Sequence, residues 1–233
     1  MSDPFGGGLA FREVADHARE NYLKFPYTKG TKQEATFLLE TLRLPPHARV
    51  LDVACGVGRH ERHLPWRVVG ADLSRGLLEV ARRDSPGDWV QAEARRLPFK
   101  PVFDAAWSFC EGAFGLLPDD AAHVEMLRSV RACLKPGGLF VLSAMSVFAM
   151  SSDEHFDPLT NVMRTPQTVA APDGRKRKFV VATRAFAPRE VIRMAHEAGF
   201  EVRDVWGGVT GAYERRDFTV DDPEMLLVLR NPA

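Results

Sequence analysis

The chain has 233 residues, 45% of them apolar, which suits one domain with a sizeable core. Its 31 basic and 31 acidic side chains cancel, and this argues against a nucleic-acid substrate gripped through many phosphates. Cys55, Cys110 and Cys133 have no paired spacing, so neither a disulfide framework nor a zinc knuckle is expected. The start has no basic-then-apolar leader pattern, and there is no apolar run of about 18 residues to span a membrane; a cytoplasmic protein is the expectation.

Phe11 to Leu23 carries Val14, Ala18 and Tyr22 at helical spacing, which predicts a helix broken at Pro26. Thr31 is placed to cap a second helix, with Glu34 completing a capping box and Phe37, Leu38 and Leu42 on the buried side. Residues 1–48 thus read as a helical cap ahead of the sheet.

Arg49 to Ala54 is a short apolar run that predicts a buried strand. Asp52 lies inside it, where a carboxylate needs hydrogen bonds or the mouth of the sheet. Cys55-Gly56-Val57-Gly58 reads as a loop whose glycines let backbone approach a ligand. A helix is expected next, carrying His60, Glu61 and His63; the H-x-x-H spacing lacks a third ligand, so no metal is expected. Arg67 to Ala71 is a second strand, with Asp72 at its carboxyl end. Ligands of open α/β sheets bind beyond the carboxyl ends of the strands, so the two acids and two glycines should converge on one ligand.

Asp72-Leu73-Ser74 opens a helix capped by Ser74, with Leu77, Leu78 and Ala81 on its buried face. Trp89 to Ala92 is a third strand, followed by Glu93, Ala94 and the Leu97-Pro98-Phe99 turn. Val102 to Phe109 is a fourth strand, and its end, Ser108 to Phe114, is where the reaction should be read. Glu111 there could hold a substrate cation or accept a proton, or bond its own loop. Phe109 and Phe114 offer an apolar wall. The next helix carries His123 on one face, and Lys135-Pro136-Gly137-Gly138 turns it into a fifth strand, Leu139 to Met145.

Residues 146–187 are long for a plain connection and read as an inserted loop and hairpin on the substrate side, turning at Asp173-Gly174. His155 in that insertion is a candidate base. Arg175 to Lys178 reads as a solvated hairpin tip or, alternatively, a nucleic-acid patch. Pro188 to Gly199 is a helix, Phe200 to Trp206 and Glu224 to Arg230 are strands, and Tyr213 and Arg216 lie in the loop between them.

The glycine register decides the ligand class. A dinucleotide fingerprint needs G-x-G-x-x-G, but Glu61 occupies the third glycine position, and no G-x-x-x-x-G-K-[ST] string occurs. A carboxylate before the loop would repel a pyrophosphate and suit a cation. Asp72 can accept from a ribose diol, so the pattern favours a phosphate-free, positively charged nucleoside.

Arg49 to Gly58 resembles the first motif of the class I S-adenosylmethionine-dependent methyltransferases. Three further pieces match in order: Asp72 in GADLS, Glu93 to Phe99, and Leu134 to Gly138. The resemblance implies a single Rossmann-like α/β domain over residues 1–233. Its seven-stranded sheet would have order 3-2-1-4-5-7-6, the last strand antiparallel and helices on both faces. It implies S-adenosyl-L-methionine as cofactor. Gly56, Gly58 and the adjoining Cys55 would pass the methionine part, Asp72 with Leu73 would hold the ribose, and Glu93 with Ala94 would lie near the adenine. Asp52 would support the loop and the amino end. Tyr22, Phe25 and Tyr27 are candidates for a lid over the mouth, or simply pack the cap, and Phe109 would wall the methyl donor.

The expected activity is methyl transfer to a small-molecule acceptor by direct in-line displacement, with Glu111, His155 and Tyr213 as candidate catalytic residues. An RNA-directed methyltransferase, a nicotinamide-dependent oxidoreductase and a non-catalytic partner protein of the same fold are the alternatives. The inserted hairpin serves equally as a lid or as a homodimer interface.

Overall fold

The computed structural model describes residues 8–110, 113–151 and 153–232. Ten strands are found among them: β1 (Arg49–Val53), β2 (Arg67–Asp72), β3 (Asp88–Gln91), β4 (Phe103–Ser108), β5 (Leu134–Met145), β6 (Phe156–Asp157), β7 (Val162–Ala170), β8 (Lys176–Arg184), β9 (Glu201–Gly208) and β10 (Glu224–Arg230). Seven form one sheet in the order β3-β2-β1-β4-β5-β10-β9. Only β10 runs antiparallel to its neighbours. This is the order and orientation expected from the sequence.

The sheet is covered on both faces, by α2 (Thr31–Leu42), α3 (Arg75–Asp84), α4 (Asp120–Cys133) and α6 (Pro188–Glu197); α1 (Gly8–Ala18) packs outside α3, and α5 (Val147–Met150) is a single turn. Double coverage explains why the central strands are apolar at nearly every position. Side chains alternate between the layers. Val50, Ala105, Trp107 and Val141 pack with Phe37 and Leu38 of α2. Leu51, Ala106, Phe140 and Leu142 pack with α4 and α6 through Met126, Leu127, Val191 and Met194.

Three local expectations are corrected. The helix after the glycine loop is one 3-10 turn, Glu61–His63, because residues 59–66 alone reach β2 and Leu64 is already extended before Pro65. Glu34 forms no capping box; Gly30 precedes α2 without a side-chain cap, and the Glu34 carboxylate is buried against Arg59 and His60. The Lys135–Gly138 turn lies inside β5 as a bulge, since the register with β4 jumps from Phe103↔Leu134 to Ala105↔Leu139.

β6, β7 and β8 form a separate three-stranded sheet, with β7 and β8 paired from Val162↔Arg184 to Ala170↔Lys176. One side of this hairpin rests on α1, where Val169 and Val181 meet Val14 and Ala18. Asn21 donates to the Ala170 carbonyl at 2.9 Å, and Arg177 reaches Glu13 at 2.7 Å. The hairpin and the N-terminal segment are therefore one packed unit. Among the described residues no helix is long and apolar enough to cross a membrane.

Candidate functional site

A cleft of about 700 Å³, counting its open mouth, lies at the carboxyl ends of β1, β2 and β3. Its walls are Ala54 and Gly56 of the loop after β1, Asp72 and Leu73 ending β2, Ser74 and Leu77 of α3, and Glu93, Ala94 and Leu97 after β3. Ala113, Leu116 and Leu117 close one side, and Phe11, Arg12, Ala15 and Tyr22 of the N-terminal segment lie over it. The largely apolar lining with a few convergent polar groups is that of a small-molecule site.

Asp72 is the polar centre of the cleft. Its Oδ2 accepts the Gly56 N–H at 2.8 Å and its Oδ1 the Ser74 N–H at 2.7 Å, so one carboxylate fixes both the loop and the start of α3. Burial pushes its pKa up, against the pull of those two donors. Ser74 caps α3 by accepting from the Leu77 N–H, and its hydroxyl donates to Asp16 of α1 at 2.5 Å. Asp16 also accepts from Gly76 N at 3.0 Å, so α1 is docked beside Asp72. Glu93 caps the 94–96 turn, accepting from Arg95 N at 3.1 Å and Arg95 Nε at 2.9 Å.

The loop depends on glycine at two points. Gly56 (φ +57°) passes beneath the Tyr22 ring. Gly58 (φ +61°) supports Trp89 of β3; a Cβ there would stand 2.1 Å from the indole. Tyr22 meets Phe25 and Tyr27 edge-on at 5.6 and 5.8 Å, and those two rings stack at 5.4 Å. Of the three, Tyr22 lines the cleft.

Behind the loop lies a buried charged network. Arg59 ion-pairs with Glu34, donates to Thr31 Oγ1 at 2.9 Å and reaches Cys110 Sγ at 3.0 Å. Glu34 also takes His60 Nε2 at 2.7 Å. Burial alone would raise the Glu34 pKa, but the His60 hydrogen bond and the Arg59 guanidinium hold it down at about 2. Burial, with Arg59 beside it, lowers His60 to about 4, so its ring is neutral.

The structure brings Tyr22, Gly56, Asp72, Leu73, Glu93 and Ala94 together around one cleft. Four residues expected at the cofactor are elsewhere. Asp52 is buried and faces Glu61 and His60. Cys55 is buried under the loop toward Gly70, and Gly58 meets Trp89. Phe109 points to the α2 face, 4.9 Å from the Tyr213 ring and 6.3 Å from Phe37, while Phe114 is buried against His123 and Phe186.

The catalytic candidates fare differently again. Glu111 lies outside the described residues. His155 is exposed, bonded to Asp153 at 3.1 Å, and does not line the cleft. Tyr213 is buried and donates to Glu224 at 2.7 Å, because it packs beneath α2 instead of facing the mouth. Burial raises its pKa well above the ordinary value.

Sequence reasoning missed Phe11 and Arg12 over the cleft and Leu116 and Leu117 in its wall. A positioning device for that wall was also read as a plain helix-face residue. His123 is fully buried, its Nδ1–H donates to the Asp119 carbonyl at 2.7 Å, and its Nε2 accepts the Gly115 N–H at 3.0 Å. Burial lowers its pKa to about 4, which keeps the ring neutral for both bonds. Among the described residues no three metal-ligating side chains are grouped.

Sheet order, the single antiparallel strand and an acid–glycine cleft at the carboxyl edge define a class I methyltransferase fold. The family profile described as "Methyltransferase domain" matches residues 50–138. An uncharacterized protein of Methanocaldococcus jannaschii, MJ1252, is 30% identical over 167 residues, covering 68% of this chain and 63% of its own. YqeM of Bacillus subtilis is 26% identical over 236 residues, covering 95% of this chain and 83% of its own. The methyltransferase CcbJ of Streptomyces caelestis shares the fold, with a TM-score of 0.78 at 21% identity over 94% of this chain and 98% of that one. The profile thus puts a methyltransferase domain in this chain, and the sheet around it has the fold of the class I S-adenosylmethionine-dependent methyltransferases. It spans a little under two thirds of the length of the Methanocaldococcus relative.

Proposed function

We propose that this protein transfers a methyl group from S-adenosylmethionine to a small-molecule acceptor by direct in-line displacement. The observation that carries the reading is Asp72. It stands at the carboxyl end of β2, faces the cleft, and is already tied to Gly56 on one oxygen and Ser74 on the other. Each carboxylate oxygen has a second lone pair, so a ribose diol can donate to both.

The lining fits this cofactor. The walls are apolar, the polar centre is an acid, and no glycine-rich phosphate cradle is present. In this reading Asp72 holds the ribose, Glu93 and Ala94 border the adenine, and Gly56 under Tyr22 passes the methionine part. When bound, the cofactor supplies an activated methyl group. The chain's own work is then to align donor and acceptor and to exclude water. Tyr22 closes over Gly56, and α1, against which the β7–β8 hairpin packs, lies over the mouth.

Among the described residues around the cleft the acids are engaged, Glu93 with Arg95 and Asp72 with backbone amides. Burial holds the Tyr22 hydroxyl well above its ordinary pKa, so it is no base at neutral pH. The reading therefore favours an acceptor that brings its own nucleophile ready to react. A covered cleft suits a small acceptor better than a polymer. The basic hairpin tip is partly neutralised, Arg175 by Asp173 and Arg177 by Glu13, both at 2.7 Å.

Calorimetry with S-adenosylhomocysteine tests the cofactor half, with binding expected and its loss in Asp72→Ala. A screen of small acceptors with a radiolabelled methyl donor tests the other half; label entering RNA instead would overturn it.

A further inference from the structure

Asp52 stands near the end of β1 and Glu61 opens the 3-10 turn; the glycine loop, residues 54–58, runs between them. The two side chains are 3% and 4% exposed. Asp52 Oδ2 and both Glu61 carboxylate oxygens are buried, and none accepts a hydrogen bond from a described residue. The neighbouring cations are committed elsewhere: Arg59 to Glu34, Thr31 and Cys110, and His60 Nε2 to Glu34. His60 Nδ1 remains 3.8 Å from Asp52 Oδ2, beyond hydrogen-bond reach. The other groups packed around the pair are Asp72 from β2, the Cys55 thiol from the loop, and Glu34 from α2 behind His60; Glu61 also borders a cavity with Arg67 of β2 and Asp88 of β3. His63 lies beside His60 on the exposed side.

Two buried carboxylates that face each other, their oxygens outside hydrogen-bond geometry of any described donor, cannot both be ionised at tolerable cost. With one proton held between them, an O–H of one donates to an oxygen of the other, and the charge that remains is single. Burial, and then Glu61 beside it, push Asp52 well up; burial raises Glu61 to about 7, against the pull of the nearby Glu61 and His60 backbone N–H groups and of Asp52 itself.

We propose that Glu61 is a positioning residue for the cofactor: a proton shared with Asp52 clamps the two ends of the glycine loop, and the loop presents Gly56 to Asp72 only while that proton is held. The inference rests on the cofactor reading above. The loop has reason to need a clamp. Ala54, Gly56 and Gly58 all adopt left-handed backbone, with φ of +60°, +57° and +61°, and such conformations persist only where the surroundings over-determine them. Loss of the proton to water leaves two like charges across the base of the loop, with only the nearby Glu61 and His60 backbone N–H groups to offset them. The residue that displaces the third glycine of a dinucleotide loop thus acquires a task of its own.

The test is the affinity for S-adenosylhomocysteine by calorimetry from about pH 6 to about pH 9, in the wild type, Glu61→Gln and Asp52→Asn. Wild-type affinity should fall as pH rises, by up to about tenfold per unit, the limit for one linked proton. In Glu61→Gln the amide N–H donates to Asp52 without titrating, so the profile should flatten; Asp52→Asn should flatten it too. The ligand's own amine titrates equally in all three proteins, so the difference between profiles is what counts. Equal slopes in wild type and Glu61→Gln overturn the proposal and leave the cofactor reading standing. No wild-type binding at any pH overturns both. If neither variant folds, the infrared carbonyl band of a buried protonated carboxyl decides: it should be present in the wild type at neutral pH and vanish as pH rises, and its absence overturns the proposal.

Discussion

Asp72 and Gly56 are joined by a hydrogen bond of 2.8 Å from the loop amide to the carboxylate, so the residue that faces the cleft also sets the loop that lines it. Substituting Asp72 removes a ligand contact and a loop support together. Asp72→Ala should weaken S-adenosylhomocysteine binding by about 1–3 kcal/mol, read by calorimetry. Asp72→Asn should not restore it, since an amide turns a donor toward one of the two backbone N–H groups. Unchanged affinity in either variant would remove the ribose from Asp72.

Gly58 and Trp89 make a second coupled pair. A Cβ at Gly58 meets the indole at 2.1 Å and also sits at φ +61°. Gly58→Ala should therefore cost about 1–3 kcal/mol in urea unfolding, the range for overpacking. Adding Trp89→Leu should recover part of that cost, and the double-mutant cycle reads the coupling. Gly137→Ala is the contrast: φ is +80° but nothing stands within 4 Å, so only the backbone term is expected and no partner can relieve it.

The network behind the loop makes the fold acid-sensitive. His60, ordinarily 6.5, is lowered to about 4, so its contribution is whole above 6.5 and is lost as pH falls toward 4. Glu34, ordinarily 4.5, is lowered to about 2, so its share is whole above 4.5 and is lost as pH falls toward 2. Urea unfolding should show stability declining in that order on acidification. Glu34→Gln should cost roughly 3–5 kcal/mol at neutral pH by leaving Arg59 buried without its counter-charge. It should also make the slope below 4.5 shallower, the lowered Asp222 and Asp104 keeping their share. A variant as stable as the wild type would mean that Arg59 finds another anion.

His123 fixes the wall of the cleft from behind. His123→Ala strands the Gly115 amide and should cost about 1–3 kcal/mol of stability. It should also raise the dissociation constant for S-adenosylhomocysteine, because Leu116 and Leu117 follow that amide directly. If binding is unaffected while stability falls, the wall does not depend on this hydrogen bond.

What the sequence made legible was chemistry carried by neighbours in the chain. Asp72 ends an apolar run and precedes a capping serine, so its place at the strand tip could be read locally. Glu34, Arg59 and His60 could not, because α2 and the loop after β1, which pair them, lie far apart along the chain. The shortness of residues 59–66, with Pro65 near their end, was the available sign that no helix fits. Phe109 was also decidable: the two-residue period that sends Ala105 and Trp107 toward α2 sends Phe109 the same way. Tyr213 carried no local sign, since only the fold brings that loop beneath α2.

Trp89 rests over Gly58, Gly70 and Gly87, and it belongs to the outermost strand of the sheet. A margin of four residues, Asp88–Gln91, pinned by one indole, offers a foreign chain little to pair with. The same ring that steadies the glycine loop therefore also pins down this one edge of the sheet, the other being β9.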